Sequence, residues 1–340
     1  MIFYPEPLKK GDSIGVMAPS SGVTGIFEKK LNHAIMQIEQ LGYKCIESPS
    51  VRLNKKLVST NASQRAKEFM DLYNNEQVKA IIPPWGGQFS IDILPFIPFE
   101  ELKKPKWILG FSDISTLLFS LTLKKFFATA HGPNLLDFGN QPIDPTVLSA
   151  LHFLSKQPGD EITQKNMEMY QSEWLDMRND FFPPYNLTEK VIWKSILPLK
   201  SMEFSGRIIG GCLDTISKLI GTPYAPANEF CEKFRSEGVI WYFESCDMNS
   251  SEIYRTLYQM KLAGWFEHCN GILYGRPEGY KDVGDFTLED AFNKLNEELN
   301  KPIIYDLDIG HTPPQMTLIN GAFAEVLFTG GSGEIKLSFR

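Results

Sequence analysis

Cysteine is scarce in this chain: five in 340 residues. Cys45, Cys212, Cys231, Cys246 and Cys269 are odd in number, widely spaced and nowhere form C-x-x-C. That excludes a disulfide framework and the paired spacing of a zinc site, so reduced thiols, a cytoplasmic setting and no bound metal are expected. Basic runs are also lacking. Lys9-Lys10, Lys55-Lys56 and Lys124-Lys125 stand apart, and the net charge is −7. A nucleic-acid or anionic-membrane binder carries a basic surplus or patch, so neither partner is expected. No stretch approaches the roughly 18 consecutive apolar residues of a membrane span. Met1 to Pro7 lack the basic segment and apolar run of a secretion signal.

What is present is ordinary globular material: 43% hydrophobic residues, 22% charged and 24 Phe, enough for a dense core and ring-lined pockets. The length exceeds one ordinary core and suits two domains. Ser13 to Ala18 read as a buried strand ending at the turn Pro19-Ser20-Ser21-Gly22. Leu31, Ala34, Ile35, Ile38 and Leu41 recur at helical spacing before Gly42. Further strands are expected at Tyr43 to Glu47, Val78 to Ile82 and Trp107 to Gly110, with helices at Ser63 to Tyr73, Phe89 to Leu94 and Asp113 to Lys124. This alternation predicts a parallel sheet covered by helices, with any site at the carboxyl ends of its strands. The turns at Pro19, Gly86 and Ser112 all fall there.

Residues 157–203 are charged and rich in Pro and Trp, with Phe181-Phe182-Pro183-Pro184-Tyr185 at the centre. They read as a long connecting segment, a lid or wall between domains. A second domain then follows. Strands are expected at Val239 to Phe243, Gly271 to Tyr274 and Ile303 to Tyr305. Helices are expected at Leu213 to Leu219, Ile253 to Ala263 and Leu288 to Leu299, and a closing hairpin around Gly330-Gly331-Ser332-Gly333. The expected division is 1–156, 157–203 and 204–340.

Ser112 lies where a strand stops and a helix starts. There a hydroxyl projects from the sheet edge, and the first amides of the helix face any oxyanion that forms. Taken alone, the segment reads better as an N-cap, since Ile114 stands where the usual elbow has a second glycine. A serine nucleophile needs a base, and His311, after Gly310 and before Thr312-Pro313-Pro314, suits a rigid active-site loop. His33, His152 and His268 read as surface residues, while His131 precedes Gly132-Pro133-Asn134 and could line a pocket. The base needs an orienting carboxylate. Glu244 directly follows five apolar residues, where burying it requires a partner; Asp306 and Asp308 compete for the role. Gly86-Gly87 at a strand end can free amides for an oxyanion hole with Asp113, or form only a tight turn.

These residues, in order, resemble the LD-carboxypeptidase family of serine peptidases. The match runs from Lys9-Lys10-Gly11-Asp12 through Ala18-Pro19-Ser20, Gly86-Gly87, Gly110-Phe111-Ser112-Asp113-Ile114-Ser115, Gly206-Arg207-Ile208-Ile209-Gly210-Gly211, Glu244-Ser245 and Gly310-His311-Thr312. The resemblance implies an α/β chain: a flavodoxin-like parallel sheet, then a β-rich swivelling α/β C-terminal domain, usually as a homodimer without a cofactor. It implies Ser112 as nucleophile, His311 as base, Glu244 as orienting carboxylate and the Gly87 and Asp113 amides as oxyanion donors.

One branch of the family trims murein tetrapeptides. The other resembles the microcin C immunity peptidase and acts on a peptidyl- or aminoacyl-nucleotide. Chain length, the segment before residue 200 and Phe243-Glu244-Ser245 place this chain nearer the second. In that branch aromatics of the long loop pack on a nucleobase. Ser172 to Met177 resemble that loop, but Met177 stands where tryptophan is expected, and Trp174 or Trp193 could substitute, with Gly86 also near the substrate. Cys212 stands where the family often has Asn. A two-domain small-ligand binding protein without activity is the alternative of another class. A cysteine-dependent amidotransferase is disfavoured, because no cysteine sits at a strand-to-helix elbow.

Overall fold

Short strands buried on both faces demand helices above and below them, and in the first half of the chain the inner strands meet that condition while the edge strand Lys44–Glu47 stays partly exposed. The strands are β1 (Ser13–Val16), β2 (Lys44–Glu47), β3 (Val78–Ile81), β4 (Trp107–Gly110) and β5 (Thr129–His131). Between them run α1 (Phe27–Gln40), α2 (Ala62–Asn74) and α3 (Ser115–Lys125), and α4 (Pro145–Leu154) follows β5. The computed structural model describes residues 1–173, 175, 180–198 and 200–340. β1 to β5 pair in parallel in the order β2-β1-β3-β4-β5, the flavodoxin-like order. The expected helix at Phe89 to Leu94 is a 3-10 helix, Ser90–Phe96, with Pro95 inside it; proline lacks the amide an α-helix needs.

The second sheet is larger. Its strands include β6 (Glu161–Lys165), β9 (Lys194–Ser195), β10 (Ser201–Cys212), β11 (Val239–Glu244), β12 (Cys269–Gly275) and β13 (Ile303–Leu307). A two-stranded ribbon, β7 (Met169–Tyr170) with β8 (Glu189–Lys190), stands apart. After β13 come β14 (Leu318–Asn320), β15 (Phe323–Thr329) and β16 (Ser332–Ser338). β10 to β13 are parallel, and the flanking strands β15, β16, β6 and β9 join antiparallel. Here α5 (Leu213–Ile216), α6 (Ala227–Lys233), α7 (Ser250–Leu262) and α8 (Leu288–Leu299) cover the sheet. Capping boxes start α7 and α8: Asn249 with Glu252, and Thr287 with Asp290.

Three features differ from the expectation. The segment 157–203 is not simply a strap, because β6 pairs with β16 and β9 with β13. β10 is a strand of 12 residues where only a glycine-rich lead-in was marked. And β14 leaves the second sheet to pair antiparallel with β5 of the first.

The two sheets grip one helix between them. In α3 every residue from Ser115 to Leu123 is buried, which explains a segment, Ser-Thr-Leu-Leu-Phe-Ser-Leu-Thr-Leu, without an amphipathic stripe. Phe119 of α3 packs on Trp265 with ring centroids 5.4 Å apart, and Trp265 stacks on Trp241 of β11 at 5.5 Å. Ser115 Oγ accepts the Cys212 amide at 3.0 Å. Asn320 of β14 accepts the Gly210 amide and the Tyr242 hydroxyl, and donates to Thr129. The ends of β4, β10 and β11 are thereby brought to one place.

Candidate active site

β4 ends at Gly110, Phe111 is extended, and the chain turns at once into a 3-10 turn, Ser112–Ile114, ahead of α3. Ser112 sits at φ +61°, left-handed for a residue with a Cβ. Such a conformation costs about 1–3 kcal/mol and persists where surrounding structure imposes it. Gly86 packs directly on it: a Cβ on Gly86 would lie 2.8 Å from both Cβ and Oγ of Ser112 and 3.0 Å from the Asp113 amide. The loop after β3 is therefore pressed against the serine. Asp113 is buried, and its Oδ2 accepts the Ser90 amide at 2.9 Å, which fixes the turn. Gly87, at φ +143°, packs on Ser20 and Ser21 of the loop after β1. Among the described residues, no acceptor meets the Gly87 or Asp113 amide outside the regular elements. Gly87, Ser112 and Asp113 line one cavity.

The base-like pair comes from the second sheet. Glu244 closes β11 and is fully buried. His311 Nδ1 lies 2.6 Å from Glu244 Oε2. Burial opposes a charged imidazole, yet the neighbouring carboxylate overrides it and holds the His311 pKa above its ordinary value. Burial likewise works against the Glu244 charge, and His311 with His131 outweighs it, so the carboxyl falls below the usual range. Gly310 makes this approach possible: at φ +93°, any Cβ there would overlap Glu244 Cγ and Oε2. The Phe111 ring meets the His311 ring edge-on at 4.9 Å, which sets His311 over the residue before Ser112. Among the described residues no hydrogen bond joins Ser112 to His311.

The competing carboxylates are committed elsewhere. Asp308 accepts from Arg276 at 2.7 Å, from Trp193 Nε1 at 3.0 Å and from the Met167 amide at 3.1 Å. Asp306 pairs with Lys194 at 2.9 Å. Trp193, expected to touch substrate, is instead a core residue: it is 1% exposed, with its indole N–H engaged by Asp308. Trp174 and Met177 lie outside the described residues. Ser112, Asp113 and Gly87 line a cavity of about 340 Å³ together with Cys212, Asp214 and Cys246. A cavity of about 630 Å³ lies beyond the His311 loop, between Thr312, Arg276, Tyr170 and Tyr280.

Two residues near Glu244 escaped the sequence reading as partners. His131 is fully buried in β5 with Nε2 3.8 Å from Glu244 Oε1, and Cys212 is the cross-strand neighbour of Glu244. The available signal for His131 was an imidazole among apolar strand residues ahead of Gly132-Pro133. Nothing in sequence could have paired Cys212 with Glu244, because strand register is a tertiary property.

Comparison with known proteins follows the same division. A family model described as the LD-carboxypeptidase N-terminal domain matches residues 14–132, and one described as the LD-carboxypeptidase C-terminal domain matches residues 205–326. The chain is 26% identical to the microcin C7 self-immunity protein MccF of Escherichia coli, over 92% of this chain and 89% of that protein. A solved structure of MccF in complex with glutamyl sulfamoyl guanosine aligns with TM-score 0.84 at 22% identity, covering 99% of this chain and 98% of that one. The muramoyltetrapeptide carboxypeptidase of Oxalobacter formigenes aligns with TM-score 0.76 at 20% identity, covering 96% and 98%.

Proposed function

Since the chain belongs to the LD-carboxypeptidase family and is a serine peptidase, we propose that it cleaves an amide bond through Ser112, His311 and Glu244. The observation that carries this reading is the 2.6 Å His311–Glu244 hydrogen bond held against the elbow of Ser112. In the proposed mechanism His311 takes the Ser112 proton and Oγ attacks the carbonyl carbon. The oxyanion settles between the Gly87 and Asp113 amides. Glu244 holds the His311 tautomer and stabilises the imidazolium. The leaving amine takes that proton, and water then hydrolyses the acyl-serine ester. No cofactor takes part.

The substrate in this reading is a peptidyl- or aminoacyl-nucleotide, as the MccF complex with glutamyl sulfamoyl guanosine suggests by analogy. The cavity beyond His311, with Tyr170, Tyr280 and Arg276 on its wall, offers room for the leaving group. The same reading takes the protein as a cytoplasmic homodimer. The test is a fluorophosphonate probe followed by a hydrolysis panel. Labelling of wild type, its loss in Ser112→Ala, and cleavage of an aminoacyl sulfamoyl nucleotide in preference to a murein tetrapeptide are expected. Preference for the tetrapeptide moves the chain to the murein branch, and absence of labelling leaves a binding protein.

A further inference from the structure

The wall of the Ser112 cavity holds a thiol that the proposed mechanism does not use. Cys212 ends β10 directly beside Glu244 of β11, as its register partner. Cys212, Glu244 and His311 each offer one atom to a common centre, and those three atoms lie within 4.8 Å of one another. A thiol, an imidazole and a carboxylate form the mixed donor set that suits Zn²⁺ and is unattractive to Mg²⁺ or Ca²⁺. Zinc bonds of about 2.0–2.3 Å bring tetrahedral ligand atoms to roughly 3.3–3.7 Å. No donor pair is more than 4.8 Å apart, and His311 Nδ1 and Glu244 Oε2 stand only 2.6 Å apart, so side-chain rotation must adjust each pair to that spacing.

A second observation points the same way. Glu244 keeps an oxygen, Oε1, fully buried with no hydrogen-bond donor on it; His131 Nε2 stands 3.8 Å away. A buried carboxylate oxygen without a hydrogen bond of normal length, faced by His131 at ion-pair range, is a strong ligand for a cation. Access exists as well, because Cys212 lines the same open cavity as Ser112, and solvent from that cavity can fill a fourth position.

We propose that Cys212, Glu244 and His311 form an inhibitory Zn²⁺ site, superimposed on the groups that activate Ser112. Coordination releases the thiol proton of Cys212 to solvent and leaves a thiolate on the metal. It also takes a His311 nitrogen lone pair and draws Glu244 away from its hydrogen bond, so Ser112 loses its base. This regulation rests on the reading of Ser112, His311 and Glu244 as the reacting groups, but the metal site stands or falls separately.

Co²⁺ is the probe, because a Co²⁺–thiolate bond gives a near-ultraviolet charge-transfer band whether or not the protein hydrolyses anything. Wild type is expected to bind one Co²⁺ with that band, and Zn²⁺ to displace it. Ser112→Ala should bind equally well. Cys212→Ser, a one-atom change checked for folding by circular dichroism, should lose the band, and Cys246→Ala should keep it. Zn²⁺ should also slow fluorophosphonate labelling of wild type, and Cys212→Ser should need at least tenfold more metal for the same fractional loss. No band in wild type overturns the proposal. So does a band that survives in Cys212→Ser and vanishes in Cys246→Ala, since that assigns the metal to Cys246, Asp247 and Glu278 at the outer rim. If wild type binds Co²⁺ through Cys212 but Ser112 never labels, the metal site is upheld and the hydrolase reading fails.

Discussion

Replacing Glu244 by glutamine changes one oxygen to an amide nitrogen and leaves the volume of the site intact. Its consequence can be followed atom by atom. In wild type, His311 Nδ1–H donates to Glu244 Oε2 at 2.6 Å, within a site where Glu244 has no exposure. In the proposed mechanism that bond leaves Nε2 to accept the Ser112 proton. A glutamine that turns its NH₂ toward His311 forces Nδ1 to accept, and the proton then sits on Nε2, the wrong nitrogen. A glutamine that turns its oxygen keeps the tautomer but no longer stabilises the imidazolium. In a serine–histidine–aspartate peptidase the equivalent change costs about 10⁴ in kcat, or about 5.4 kcal/mol of barrier.

The assay is the second-order rate of fluorophosphonate labelling of Ser112 across pH, which needs no knowledge of the substrate. A loss on the order of 10²–10⁴ is expected. The acid limb also carries a sign. Below the His311 pKa the ring is protonated and cannot accept, so the rate rises as pH passes through it. Burial lowers that pKa and the Glu244 charge raises it, with the carboxylate prevailing. Removing the charge leaves only the weaker pull of Asp214 and Glu278 against burial, so the limb must move to lower pH. A loss below tenfold, or a limb that stays put or moves upward, would refute the pairing.

Other expectations follow from the same geometry. Gly310→Ala places a methyl into Glu244 at a backbone angle of φ +93°; labelling should fall at least tenfold, with a lower denaturation midpoint. Ser112→Gly relieves the left-handed strain at φ +61° and should gain about 1 kcal/mol in urea unfolding while abolishing labelling. A midpoint below wild type would show that the serine conformation is unstrained. Asp308→Ala removes the partner of buried Arg276 and of the Trp193 indole and should cost about 3–5 kcal/mol, read by the same unfolding curve; a cost under about 1 kcal/mol would show that Asp308 does not hold Arg276 and Trp193 in place.

Much of the fold was legible because burial on both faces writes itself into residue choice. Trp107-Ile108-Leu109-Gly110 and Val239 to Phe243 offer no polar alternation, and each became a buried strand. The helix at Leu288 to Leu299 has the expected bounds, with apolar spacing and a Thr287–Asp290 box to set its start. What escaped notice was short or joined at long range. β14 is three residues long and pairs with β5, nearly 190 positions earlier in the chain. Trp193 looked like a ligand-facing aromatic because it sits in a charged, proline-rich segment, yet Asp308 and the closing hairpin enclose it. Aromatic content does not tell a wall from a core.

By itself the sequence marked the strand-to-helix junction at Ser112, the glycine pair at the preceding strand end and, through the family resemblance, the order in which Ser112, Glu244 and His311 are supplied. Those are local properties of strand ends and turns, read from a few neighbouring residues. Only the tertiary structure decided which carboxylate meets His311, since Asp306 and Asp308 competed with Glu244 for that role until the loops packed. It also decided that Cys212 and His131 share the pocket of Glu244. Strand register and the seating of α3 between two sheets place those side chains, and neither is encoded in any single segment.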